Sequence, residues 1–128
     1  MPPPIKRILL AEDDTMLAGL LIDRFNMEGW DVTHVEDGQA ACDIMEQDFD
    51  VMILDLLMPV KDGFEVLKEA KKKHLSYPII VASNLSQPEE LERTTELGAA
   101  AAILKSNIDL DGFVKAVREV HNTYVPNI

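Results

Sequence analysis

Aromatic side chains are scarce in this chain, at 5% of 128 residues, and cysteine is limited to Cys42. A single cysteine excludes an internal disulfide. Set in a helical pattern, Cys42 reads as a small buried hydrophobe in a protein of the reducing cytoplasm. With so few aromatics the core must be mostly aliphatic, and a hydrophobic content of 47% is enough to build one. Basic residues are also in deficit: 12 Lys and Arg face 23 Asp and Glu, for a net charge of -11. No basic patch is available to displace counterions from phosphates, which argues against direct nucleic-acid binding and equally against adsorption to anionic membranes. No window approaches a spanning helix, and the opening Met-Pro-Pro-Pro is not a signal peptide. Neither GxGxxG nor GxxxxGK[ST] occurs, so the two commonest nucleotide-binding loops are missing. His34, His74 and His121 are far apart and show no metal-ligand spacing, so none is assigned a role.

What is present centres on the run from Asp50 to Gly63, DVMILDLLMPVKDG. Val51 to Leu54 is apolar without a break, long enough for a strand buried on both faces and too short for a helix. Asp55 ends that run, so a carboxylate arrives at the tip of a buried strand. Pro59 and the Asp62-Gly63 pair then predict a turn, because proline fixes φ and glycine tolerates φ > 0.

The rest of the chain repeats this pattern. After a frayed lead-in at residues 1–4, Ile5 to Ala11 reads as a first strand closing on Glu12-Asp13-Asp14. Three adjacent carboxylates repel one another, and a cation would relieve that cost. Asp14 or Thr15 can cap the next helix, which leaves two acids without a structural role. Leu17, Leu20, Leu21 and Phe25 predict the buried face of that helix, and Gly29 ends it. Asp31 to Val35 is a second strand, and Ala40, Ala41, Ile44 and Met45 mark a second helix. Phe64, Val66, Leu67 and Ala70 mark a third, with Lys71 to Lys73 as a solvated basic run in its last turn. Ile79 to Ala82 forms a fourth strand that delivers Ser83. Ser86 to Glu89 matches a capping box, starting a fourth helix that stops at Gly98. Ala99 to Leu104 reads as a short fifth strand closed by Lys105. Asp109 or Asn107 caps a last helix with Phe113, Val114, Val117 and Val120 on its face. Strand and helix alternate five times in one domain, residues 1–128, with no linker or repeat, and 1–4 and 122–128 are expected to be flexible ends. Such alternation implies a parallel sheet covered by helices on both faces.

Parallel strands put Glu12-Asp13, Asp55, Ser83 and Lys105 on one edge of the sheet. Carboxylates are hard ligands suited to Mg²⁺, and an ionised aspartate can act as a nucleophile toward a phosphoryl group. Phosphoryl transfer needs positioning and charge neutralisation, which a divalent cation, a lysine and a hydroxyl can supply together.

With these residues in view, the chain resembles the receiver domain of two-component response regulators from residue 5 to about 121. Leu10-Ala11-Glu12-Asp13-Asp14 resembles the family's acidic motif, and Asp55-Leu-Leu-Met-Pro-Val-Lys-Asp-Gly resembles its phosphoacceptor loop. Ser83 matches its hydroxyl position and Lys105 its lysine. The resemblance implies a flavodoxin-like (βα)5 three-layer sandwich with a parallel sheet of order 2-1-3-4-5. It also implies that Asp55 accepts phosphate from a histidine kinase or histidine phosphotransfer protein. Asp13 and Asp55 would bind Mg²⁺ (or Mn²⁺) directly, Glu12 through water, and the backbone carbonyl of Leu57 would be a further ligand. Such a protein catalyses its own phosphorylation and slow dephosphorylation without turning over an external substrate, and signals through protein contacts as a monomer or phosphorylation-promoted dimer.

The chain departs from the pattern at two positions. Ala102 stands where the family often has an aromatic switch residue, and Ser106 where proline often follows the lysine. Coupled hydroxyl-aromatic switching is therefore not assumed, and a pseudo-receiver acting as a phosphorylation-independent interaction module is the alternative. A phosphatase with an aspartyl intermediate would commonly carry a second acid two residues after the nucleophile, where this chain has Leu57. Leu57 and Leu85 would border the approach of a hydrolytic water, and two leucines there predict slow loss of the phosphoryl group. Only Asn122 to Ile128 come after the last helix, as fits a single-domain regulator or a piece of a longer protein.

Overall fold

The computed structural model describes residues 3–84 and 87–124. Five parallel strands alternate with five helices: β1 (Arg7–Ala11), α1 (Thr15–Met27), β2 (Asp31–Val35), α2 (Gly38–Ile44), β3 (Val51–Leu54), α3 (Gly63–Lys72), β4 (Ile79–Ser83), α4 (Pro88–Glu96), β5 (Ala101–Leu104) and α5 (Leu110–Thr123). The sheet order is β2-β1-β3-β4-β5 and every pairing is parallel, which is the expected flavodoxin-like arrangement.

The two inner strands explain the layering. All four residues of β3 and all five of β4 are buried, and strand periodicity sends alternate side chains to opposite faces. Val51, Ile53, Ile80 and Ala82 join Ala18, Leu21 and Phe25 of α1 and Phe113, Val114 and Val117 of α5. Met52, Leu54 and Val81 pack on the other face against Ala41, Cys42 and Met45 of the α2 segment and Val66, Leu67 and Ala70 of α3. Each fully buried aliphatic side chain stabilises the fold by about 1.5–3 kcal/mol. Cys42 is buried and free, as its pattern predicts. Pro3 accepts a hydrogen bond through its carbonyl from His121 Nε2 at 2.7 Å, and α5 continues through Thr123.

Several details differ from the sequence expectation. Leu20 is 50% exposed, and Ala18 takes its place on the buried face of α1, whose stripe is rotated by part of a turn. Lys73 is not simply solvated: its ammonium donates to the Cys42 carbonyl at 3.1 Å and pairs with Glu46 at 3.4 Å, tying α3 to α2. The helix α4 begins at Pro88 with Gln87 in the cap position and no side-chain cap, so the start expected at Ser86 shifts inward. Proline at the first helical position has no N–H to satisfy. Ser86 itself lies outside the described residues.

Candidate functional site

The site is assembled where β1, β3, β4 and β5 end. Parallel pairing aligns Ala11 with Leu54, which carries Glu12 and Asp55 to neighbouring positions. Backbone pairing continues one step past the strands, with Asp55 N–H donating to the Ala11 carbonyl at 2.9 Å and Glu12 N–H to the Val35 carbonyl at 3.0 Å. Both residues are buried, Glu12 at 3% exposure and Asp55 at 5%. Lys105 opens a short 3-10 turn, Lys105–Asn107, immediately after β5. Its ammonium reaches back to Glu12 Oε1 at 2.5 Å and Asp55 Oδ2 at 3.4 Å. Ser83 ends β4 and is fully buried. The sheet thus brings together four of the expected residues from four separate strand ends.

The acidic run splits three ways. Glu12 turns inward to Lys105 and accepts the Asp14 N–H through Oε2 at 3.1 Å. Asp14 caps α1, accepting from Met16 N–H at 3.1 Å and Leu17 N–H at 3.2 Å. Asp13 remains exposed. Carboxylate oxygens of Glu12, Asp13 and Asp55 lie within 4.8 Å of one another. The second acid that lacked a structural role therefore has one: Glu12 is the counter-ion of Lys105.

Burial pushes the Asp55 carboxyl up to about 7, and the adjacent Glu12 carboxylate pushes the same way by hydrogen bonding and repulsion. Lys105 and the Leu57 N–H oppose both. One ammonium therefore only partly offsets two buried acids and an exposed third. A hard divalent cation fits this donor set, since Mg²⁺ prefers one or two carboxylates and keeps several waters. Glu12, Asp13 and Asp55 are the residues that would hold it.

The loop after Asp55 is built differently from the expected turn. Leu57 N–H donates to Asp55 Oδ1 at 3.2 Å, so the backbone of Leu57 lies beside the Asp55 carboxylate. The positive φ falls on Val60, at 69°, and not on Gly63. A β-branched residue there is strained. Gly63 is needed for space: a Cβ on it would sit 2.6 Å from the Asp55 carbonyl oxygen and 2.7 Å from Leu56 Cα. Leu57, expected to border the approach of a hydrolytic water, is 59% exposed beside Asp55; Leu85, its expected companion, lies outside the described residues.

Two contributors were missed in the sequence. His34 on β2 donates through Nε2 to the Glu12 carbonyl at 2.7 Å, fastening the acidic motif to the neighbouring strand. Only strand register could have found it, because the two residues are far apart in the chain. Gly38, at the start of α2, lies against the loop after Asp55, and its signal was no more than a glycine beside a capping aspartate. At the departures from the pattern, Ala102 is exposed on β5 and Ser106 lies in the 3-10 turn.

Among curated proteins, the transcriptional regulatory protein CpxR of Escherichia coli K12 is 36% identical over 97 residues, covering 74% of this chain and 40% of that protein. The response regulator SaeR of Staphylococcus aureus is 29% identical over 92 residues, covering 72% of this chain and 40% of that protein. The chain thus spans 40% of the length of these relatives. Among solved structures, the non-phosphorylated HemR receiver domain of Leptospira biflexa superposes with a TM-score of 0.86 at 29% identity, covering 96% of this chain and 99% of that one. The receiver domain of the Francisella response regulator 1452 gives 0.84 at 26% identity, covering 91% and 97%. Residues 8–118 match the family described as response regulator receiver domain, a span that includes every residue at the strand ends discussed above, and the chain belongs to that family.

Proposed function

We propose that this receiver is a phosphoacceptor switch that takes a phosphoryl group onto Asp55 from the phosphohistidine of a histidine kinase or histidine phosphotransfer protein. The observation that carries the reading is a buried carboxylate at the end of β3, with the Lys105 ammonium 3.4 Å from it and two further acids beside it. An oxygen of Asp55 attacks phosphorus while the P–N bond to the donor imidazole breaks. The imidazole leaves with that electron pair and takes up a proton. Asp55 must be ionised to attack, and Lys105 favours that form against the burial that opposes it. Lys105 then faces the phosphoryl oxygens of the acyl phosphate, and the Ser83 hydroxyl, from the end of β4, accompanies it on the same edge. Mg²⁺ (or Mn²⁺), held by Asp13, Asp55 and the Leu57 carbonyl and by Glu12 through water, would neutralise charge on the transferring group. The new dianion alters the loop after Ser83 and α4, and with them the contacts offered to a downstream protein.

Incubation with a small phosphodonor and Mg²⁺, followed by intact mass, tests the reading. The wild type should gain one base-labile phosphoryl group and Asp55→Asn none. A wild type that gains nothing, or an Asp55→Asn variant phosphorylated at the wild-type rate, overturns it.

A further inference from the structure

The loop after Asp55 is in hard contact with α2. Asp37 caps that helix, accepting the Ala40 N–H at 2.8 Å, and Gly38 comes next as its first residue. The Gly38 N–H points at the Pro59 carbonyl at 3.4 Å. A Cβ on Gly38 would lie 2.0 Å from the Lys61 carbonyl oxygen and 2.7 Å from both the Lys61 carbonyl carbon and its Cβ. Those first two atoms are backbone, so no side-chain rotation makes room. Real Cβ atoms essentially never come within 3.0 Å of such a neighbour, so one partner must move by about 1 Å or more. The helix is not free to yield, because Ala41, Cys42 and Met45 are in the core and the Cys42 and Met45 carbonyls are held by Lys73 and by the Tyr77 hydroxyl at 2.7 Å. The loop is already strained at Val60, φ 69°, directly between the two residues that touch Gly38. Its inner end is pinned where Gly63 N–H donates to the Leu56 carbonyl at 2.9 Å.

We infer that Gly38 is a positioning residue for the acceptor loop. The bare α-carbon of α2 sets the path of Pro59 to Lys61, and so sets where the Leu57 backbone stands beside the Asp55 carboxylate. The part of this inference that concerns Mg²⁺ rests on the reading proposed above. The contact between helix and loop does not.

Backbone amide NMR with a Mg²⁺ titration separates the two. In Gly38→Ala without metal, the amides of residues 56–63 should shift while those of α1 and α5 stay in place. Its Mg²⁺ dissociation constant should rise about tenfold, the size of effect seen when groups supporting a metal ligand are disturbed. Adding Val60→Gly gives the loop another path, and should recover most of that loss. Gly19→Ala, where an added Cβ meets nothing within 4 Å, should leave Mg²⁺ affinity unchanged. Should Gly38→Ala not fold, the wild type decides: the Gly38 amide must shift with the same Mg²⁺ midpoint as Leu57. Unshifted amides at 56–63 together with an affinity within twofold of wild type would overturn the inference, as would a Gly38 amide that stays fixed while Leu57 moves. A wild type that binds no Mg²⁺ would overturn the metal reading, and the metal-free spectra would still report on the contact.

Discussion

Asp55 shows what a buried carboxylate costs the fold. Its surroundings hold the proton more tightly than an unfolded chain does, from an ordinary 3.8 up to about 7. In the metal-free protein the stabilising contribution of protonated Asp55 is therefore full below about pH 4 and is lost as pH rises through about 7. Asp55→Asn keeps the shape and removes the buried charge, so at pH 8 it should raise metal-free stability by about 1–3 kcal/mol. Urea unfolding across this range should show a flatter pH slope for the variant, and a variant less stable than wild type at pH 8 would contradict the argument. Asp13 and Asp14 offer a second contrast. Asp13→Ala should weaken Mg²⁺ binding strongly with little effect on folding, while Asp14→Ala should cost about 1 kcal/mol by uncapping α1 and leave metal affinity nearly intact. A metal titration in which Asp14→Ala loses as much affinity as Asp13→Ala would reverse these assignments. The acids were legible in the sequence as a repulsive run, but the solution to that repulsion was not. It comes from Lys105, and only the closing of the sheet brings it to Glu12.

At the scale of elements, what could be read was whatever the apolar pattern determines locally. Val51–Leu54 begins and ends as predicted, because a buried strand must be apolar and the chain beyond it must turn, and the half-exposed Asp31–Val35 also keeps its predicted bounds. The start of α4 was not legible, since a proline at its first position competes with the capping signal before it. Leucine spacing puts Leu20 on the wrong side of α1 because it cannot reveal that a smaller alanine meets the sheet. In the loop after Asp55 the turn residues do not reveal that the left-handed backbone belongs to Val60, nor that Gly63 is a point of close approach. Gly63→Ala should therefore destabilise the protein by about 1–3 kcal/mol despite alanine's better helix propensity, and should weaken Mg²⁺ binding with it. Gly19→Ala, in open space on α1, should stabilise by about 0.5–1 kcal/mol. Thermal or urea unfolding of the pair checks the order, and a stabilising Gly63→Ala would show that the loop can yield.

For the whole molecule, the sheet separates two apolar clusters, and Glu12, Asp55, Ser83 and Lys105 lie along one edge of it. A charge added at Asp55 must therefore act through the loops at that edge and the helices they lead into. Ala102 presents only a methyl group on the surface of β5, so no ring can carry the change inward there. With a phosphoryl mimic such as beryllofluoride, hydrogen exchange should change from Asn84 through α4, and a response confined to α1 and α2 would contradict this route. The central claim is that Asp55 carries the phosphoryl group. Borohydride reduction of the phosphorylated protein converts an acyl phosphate to an alcohol at the carbon that bore it, and peptide mass spectrometry then locates the change. A single modification at Asp55 that disappears without Mg²⁺ is the predicted result; modification at Asp13 or Glu12, or none in a protein that has gained phosphate, would contradict it.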